Sequence, residues 1–393
     1  MRGCNKIVVA IDKFKSSMTA VQAAEAIRDG LECGSHIRGA EIPDIMLCPM
    51  ADGGEGSMGV MERAFNKKDI GYGKIFIDTV NHIGQPIMAP VLLFEEEGVT
   101  NAFIEMASVC GLNMVPRDKR NLLRSTTYGL GSVIRSVIET HGVRRILMAI
   151  GGSGTNDGGF GMLTALGWSF SNSNPFRNRD IPTFISGIES ASDRSVCDIT
   201  PHLKDTGITV ISDVASPLLG SDGATAVYGP QKGCRRQDIP LFENALSNWQ
   251  KVIGHPDFPG AGAAGGVGYA LKAALGAKFV PGWRFFASAL ELEKEIASAD
   301  LVITGEGRFD RSSLSGKLPS GIAKMCRQYG KPLWIVTGQN KITEAECLRL
   351  GISKVFELSS LALPEEHPVQ DAPAIIRRVM AAAITLPSPL SPE

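Results

Sequence analysis

Short apolar runs that stop at polar, glycine-rich turns recur along this chain, and most are followed by a stretch with helical spacing. Residues 6–11 (KIVVAI) form a largely β-branched run, the pattern of a strand buried on both faces. Over 17–31, Val21, Ala24, Ile27 and Leu31 fall on one stripe, with Thr19 placed to cap the start and Gly30 near the end. Residues 45–49 repeat the strand signal and run into ADGGEG (51–56), after which 57–65 resume helical spacing. The last third has the same rhythm. A strand over 301–304 ends in a glycine-rich turn. Helix 321–329, strand 333–337, helix 343–350, strand 354–358 and helix 372–383 follow. Such alternation predicts a parallel, doubly wound sheet.

The middle differs. Residues 74–80, 87–94 and 101–106 are strand-like and joined by short turns, which predicts antiparallel pairing. Alternation returns with a helix over 131–140 and strands over 145–150 and 208–212. The expected fold is α/β in two domains. Residues 1–65 and 290–393 form a discontinuous Rossmann-like or flavodoxin-like parallel-sheet domain, and 66–289 form an inserted mixed α/β domain. A length of 393 residues supports two cores. The final residues, LPSPLSPE, read as a disordered proline-rich tail.

Composition narrows the function classes. A net charge of −1, with Lys and Arg scattered, gives no footprint for nucleic acid or an anionic membrane. The eight cysteines include no C-x-x-C pair, which argues against structural zinc and a disulfide framework and for reduced thiols. The N-terminus reads as a first strand, not a signal peptide, and no apolar segment reaches membrane-spanning length. A cytoplasmic protein is expected. The six histidines occur singly in loop-like settings and read as surface residues; H-E-x-x-H, G-x-S-x-G and a P-loop are missing.

The candidate chemistry lies in the strand-end turns. Asp52 and Glu55, in PMADGGEG, stand where side chains of a parallel strand enter the ligand crevice, and two carboxylates there suit Mg²⁺. Capping of the next helix is the competing reading. Lys15 and Ser16, in IDKFKSS, occupy the equivalent place after the first strand, where a lysine pairs with phosphate or carboxylate. In AIGGSGTNDGGFGM (149–162), Gly151, Gly152, Ser153, Thr155, Asn156 and Asp157 make a loop fit to cradle an anion or to cap a helix. Asp213 follows the strand ITVIS as a candidate general base or metal ligand. Gln231 and Lys232, in YGPQKG, offer an amide and a positive charge; Glu306, Arg308, Asp310 and Lys317 form another strand-end cluster. Carboxylates, lysines and glycine-rich turns without a nucleophile match phosphoryl transfer.

Taken in order, IDKFKSSMTAVQAAEAI, PMADGGEG, IEMASVCGL, TTYGLG, AIGGSGTNDGGFGM, SDVASPLLG, YGPQKG, PGAGAAGGVG and LVITGEGRFD resemble the serial signatures of type I glycerate kinases, over nearly the whole chain. The resemblance implies two α/β domains with a cleft between them, and ATP- and Mg²⁺-dependent phosphorylation of D-glycerate to 2-phosphoglycerate. With strand-end position, it assigns Asp213 to orient or deprotonate the attacking hydroxyl. It assigns Lys15 and Lys232 to neutralise phosphate or carboxylate, and Asp52, Glu55 and Asp310 to the metal. The remaining loop residues, with Ser16, Gln231, Glu306 and Arg308, are assigned to ligand binding. The chain departs from the family's usual residues at Lys13, Gly154, Ser216 and Ser312. A kinase for a related hydroxy or sugar acid, and a non-catalytic acid-binding protein on the same scaffold, are the alternative readings.

Overall fold

The computed structural model describes residues 5–171, 193–196, 202–314 and 316–385. The tail expected to be disordered lies outside them. The strands, in chain order, are β1 (Lys6–Ile11), β2 (Asp44–Pro49), β3 (Tyr72–Val80), β4 (Pro86–Glu96), β5 (Val99–Glu105), β6 (Arg145–Ala149), β7 (Trp168–Ser171), β8 (Asp193–Val196), β9 (Gly207–Ile211), β10 (Lys278–Val280), β11 (Leu301–Phe309), β12 (Leu333–Asn340) and β13 (Ile352–Glu357). The chain divides into two compact units, one of residues Met1–Ala51 and Trp283–Glu393, the other Asp52–Gly282.

The first unit holds a five-stranded sheet in the order β13-β12-β11-β1-β2, parallel throughout. This is the flavodoxin-like doubly wound order, whose direction of winding reverses between β1 and β11. Ile7, Val9, Ile11, Ile303 and Val336 on the sheet share a core with Ile27, Leu31, Ile375, Ile376 and Met380. Thr19 caps the helix Ala20–Arg38 in a reciprocal capping box with Gln22. That helix does not stop near Gly30. A side chain at Gly30 would stand 2.5 Å from the Arg377 carbonyl, and one at Gly34 2.5 Å from that of Ala381. Both glycines therefore let the helix lie flush on Ala372–Thr385, and Gly39, at φ 61°, ends it. β11 likewise continues through Gly305 and Gly307 to Phe309, paired with β12 as far as Asn340, where a turn was expected after residue 304. Glycines can remain extended, and at Gly305 a side chain would collide with the Val336 carbonyl of the next strand.

The second unit holds a six-stranded sheet in the order β10-β9-β6-β5-β4-β3. β10, β9, β6 and β5 are parallel; β4 and β3 are antiparallel, as the short turns of the middle region predict. Its core gathers Ile104, Met148, Phe160, Val210, Phe242, Trp249 and Tyr269. The helix Ser57–Lys67, which sequence rhythm groups with the first domain, falls in this unit. The Glu105 carboxylate at the end of β5 accepts its Met58 N–H (2.8 Å), and Phe65 packs on Tyr72 and Phe94.

Candidate active site

The parallel strands of the 52–282 unit end together. Glu105 on β5 is level with Ala149 on β6, which is level with Ile211 on β9, itself level with Val280 on β10. Loops leaving these positions reach one edge of the sheet, the edge at which open α/β sheets bind ligands. Gly151 and Asp213 each lie two residues past this line. The Gly151 N–H donates to the Gly53 carbonyl (2.8 Å), which brings the Asp52 turn to the same edge. At the other end of the loop, the Gly158 N–H donates to the Gly265 carbonyl (2.9 Å). A side chain at Gly151 would stand 2.8 Å from the Gly54 Cα, and one at Gly266 2.8 Å from the Gly158 Cα. These glycines let three loops touch backbone to backbone. Gly152 and Gly56 are different: a Cβ would meet nothing nearer than 3.5 Å at Gly152 and nothing within 4 Å at Gly56. Their positive φ angles, 73° and 94°, present open backbone to an approaching group.

Lys232 is buried against the loop. Its ammonium donates to Ser153 Oγ (2.9 Å) and to the Thr155 carbonyl (2.7 Å). Burial pulls it down to about 7, with Asp157 acting in the opposite direction. A bound anion would favour the charged form again. Asn156 Nδ2 donates to Thr225 Oγ1 (2.9 Å), while Asn156 Oδ1 and Thr155 Oγ1 have no hydrogen-bond partner among the described residues. Gln231 is exposed, and its carbonyl accepts from Arg120 (3.1 Å). Asp157 has both oxygens engaged by protein donors: the Thr127 N–H and hydroxyl (both 2.7 Å), the Gly161 N–H (3.2 Å) and the Gly159 N–H (3.1 Å). Burial nevertheless holds its carboxyl above the usual range. Asp213 Oδ1 accepts from the Gly282 N–H (2.8 Å), which fixes its orientation past β9.

His82 corrects the expectation that all six histidines lie at the surface. It is 3% exposed, and its ring fills the space a side chain at Gly154 would need, with Nε2 2.8 Å from that Cβ position. Burial, reinforced by Lys232 and Arg120, pulls it down to about 4. Between pH 6.5 and 4 the unfolded chain therefore binds a proton that the native protein does not. Acidification across this window should remove up to about 3 kcal/mol of stability. Lys232 acts in the next window. From pH 7 to about 8.5 the unfolded lysine keeps a proton that the native one sheds, so stability should rise by up to about 1.4 kcal/mol per pH unit. Urea unfolding from pH 4 to 8.5 tests both, and His82→Gln should flatten only the acidic limb. An unchanged slope in that variant would contradict the assignment.

In the first unit, Lys15, Ser16, Glu306, Arg308 and Asp310 gather at the switch point between β1 and β11. The Asp12 N–H donates to the Gly305 carbonyl (3.1 Å), and the 14–18 turn lies over Gly307. Ser16 holds a left-handed φ of 65°, a strained conformation for a side-chain-bearing residue. Glu306 is raised by burial, against the pull of Ser313, Lys317 and Lys15, and its Oε1 lacks a partner among the described residues. Arg308 pairs with Asp310 at 3.3 Å.

The proposed metal ligands are divided: Asp52 and Glu55 belong to one unit and Asp310 to the other. Asp52 accepts from the Gly54 N–H (3.0 Å) and Glu55 from Asn113 Nδ2 (2.7 Å). Among the described residues, no group of three or more His, Cys, Asp or Glu could hold a metal. Two hard oxygen donors suit Mg²⁺ that keeps phosphate oxygens and waters as its other ligands. The sequence reading missed Glu105, Thr127 and His82. Glu105 carries the same signal that singled out Asp213, a carboxylate closing an apolar strand.

A flavodoxin-ordered sheet in one unit and a mixed sheet in the other, each with carboxylates and glycine backbone at its strand ends, define a two-unit α/β protein. Residues 7–387 match the sequence profile of the glycerate kinase family, and the chain belongs to that family. It is 37% identical to the glycerate 2-kinase of Escherichia coli K12, over 92% of each chain. It is 35% identical to the glycerate kinase of Halalkalibacterium halodurans, over 96% of this chain and 92% of the relative. A solved structure from Salmonella typhimurium LT2, assigned as glycerate kinase 2, superposes with a TM-score of 0.71 at 34% identity, over 97% of both chains.

Proposed function

We propose that this protein is an ATP-dependent kinase that phosphorylates D-glycerate to 2-phosphoglycerate. The observation that carries the reading is the shared strand edge of the 52–282 unit, where a glycine loop built on buried Lys232 follows β6 and Asp213 follows the neighbouring β9. The substrate hydroxyl oxygen attacks the γ-phosphorus, the bond to the ADP oxygen breaks, and Asp213 takes the hydroxyl proton. Lys232 and Lys15 neutralise phosphate or carboxylate charge. Open backbone at Gly152, with Gly151, Ser153, Thr155 and Asn156, receives an anionic group, and Asp157 acts through the loop it holds. Ser16, Gln231, Glu306 and Arg308 complete ligand contacts on their own units. Bound Mg²⁺, held by Asp52 and Glu55 or by Asp310, would supply charge neutralisation on the phosphates. A cytoplasmic setting fits the free cysteines of the described residues.

Purified protein with ATP, Mg²⁺ and D-glycerate should form ADP and 2-phosphoglycerate, distinguished from the 3-isomer by phosphorus NMR. No turnover across a panel of small hydroxy acids would overturn the reading. Turnover of another acid in preference to glycerate would favour the related-acid kinase, which the unusual Lys13 at the end of β1 motivates. Lys232→Met should lower kcat/KM by roughly 10²-fold, the scale of one lost charge-stabilising donor. Retention of more than a third of wild-type kcat/KM would remove Lys232 from the site.

A further inference from the structure

β3 closes the six-stranded sheet, paired with β4 on one side and with no strand on the other among the described residues. Across the β3–β4 ladder, Phe76 stands opposite Pro90 and Val80 opposite Pro86. Proline has no N–H, so neither can form the antiparallel pair in which both residues exchange N–H···O bonds. The backbone groups of Phe76, and with them those of Lys74 and Asp78, therefore point away from β4 toward the open edge.

Alternate strand residues share a face, so the side chains of Lys74, Phe76 and Asp78 lie together. All three are exposed, Phe76 at 56%, and Met88, level with Asp78, adds a side chain 62% exposed. The helix Ser57–Lys67 meets this face at Tyr72 and Lys74, through Phe65 and Glu62. Beyond it, an apolar patch adjoins an unpaired strand edge, an arrangement that invites strand addition.

The order of charges selects the occupant. An antiparallel pairing centred on Phe76 brings residue 74 of one strand level with residue 78 of the other. If the other strand is a second β3, Lys74 meets Asp78 twice and Phe76 meets Phe76. A parallel pairing would set lysine beside lysine. We propose that β3 pairs antiparallel with β3 of a second copy about a two-fold axis at Phe76, joining the two sheets edge to edge in an isologous dimer.

Sedimentation equilibrium of the full chain at about 1–50 µM tests this, with circular dichroism and the unfolding midpoint confirming each variant's fold. The wild type should be a dimer. Asp78→Lys places lysine opposite lysine at both symmetry-related positions and should raise Kd at least about tenfold. Phe76→Glu should do the same by setting two carboxylates against each other. The double variant Lys74→Asp/Asp78→Lys restores opposite charges in the same register and should recover the dimer. Asp78→Lys is the leading variant, because Lys74 also pairs with Glu62 at 3.1 Å. A monomeric wild type, or a dimer indifferent to Asp78→Lys and Phe76→Glu, would overturn the proposal. So would a dimer broken by Asp78→Lys that the double variant does not recover.

Discussion

Asp157→Ala is expected to destabilise the 52–282 unit by about 4 kcal/mol or more. The carboxylate accepts four hydrogen bonds at a site that is 1% exposed. Two come from Thr127, at the start of the helix Tyr128–His141, and two from Gly159 and Gly161, at the start of Phe160–Ala165. Thr127 Oγ1 extends the network by accepting the Met162 N–H (2.9 Å). One side chain thus satisfies N-terminal donors of two helices that no helical carbonyl can reach. Alanine leaves four buried donors without an acceptor, each costing about 1–3 kcal/mol before relaxation and water entry reduce the sum. For a unit of this size the unfolding midpoint should fall by roughly 8–16 °C. Asp157→Asn keeps the shape and one good acceptor and should cost about half as much. Thermal unfolding followed by circular dichroism reads both; a loss below about 1 kcal/mol for the alanine variant would show that the clamp is not rigid.

The class of fold was legible because it depends on periodicity. Runs such as KIVVAI and LWIVT, short, rich in β-branched residues and bounded by turns, read as buried strands, and their alternation with amphipathic stretches predicts parallel sheets. What the pattern does not carry is the reason for each glycine. Gly30 resembles a helix end, yet it is where two helices touch. Gly305 resembles a turn, yet it lies within a strand. The glycines of 151–158 and 260–268 resemble a phosphate cradle, and Gly151, Gly265 and Gly266 in addition pack loop on loop. Close approach is a tertiary fact, and a glycine reads the same in sequence whether its open side meets solvent, a ligand or another backbone.

Titratable residues show the same limit. Lys232 was identified from its neighbourhood, but its position under the loop depends on the turn at Gly233, which rests against Arg120 from a distant segment. His82 gave no signal, because its burial requires the bare Gly154 more than seventy residues away. The departure at Gly154 thus has a physical partner: alanine there would collide with the His82 ring.

Asp213→Asn is expected to lower kcat by at least roughly 10²-fold while changing KM little, because a general base matters in the transition state and not in binding. Asparagine keeps the Oδ1 acceptor for the Gly282 N–H, so the loop past β9 should hold its shape and the unfolding midpoint should stay near wild type. That separation is what makes the variant informative: Lys232→Met also removes contacts of a buried side chain, whereas Asp213→Asn changes charge and proton affinity at a half-buried strand end. If Asp213 takes the hydroxyl proton, excess metal should leave the variant's rate low. If Asp213 instead holds a metal, KM for the metal should rise in the variant while excess metal restores much of the rate. A near-normal kcat would remove Asp213 from both roles and leave the chemistry to the Glu306 cluster of the other unit.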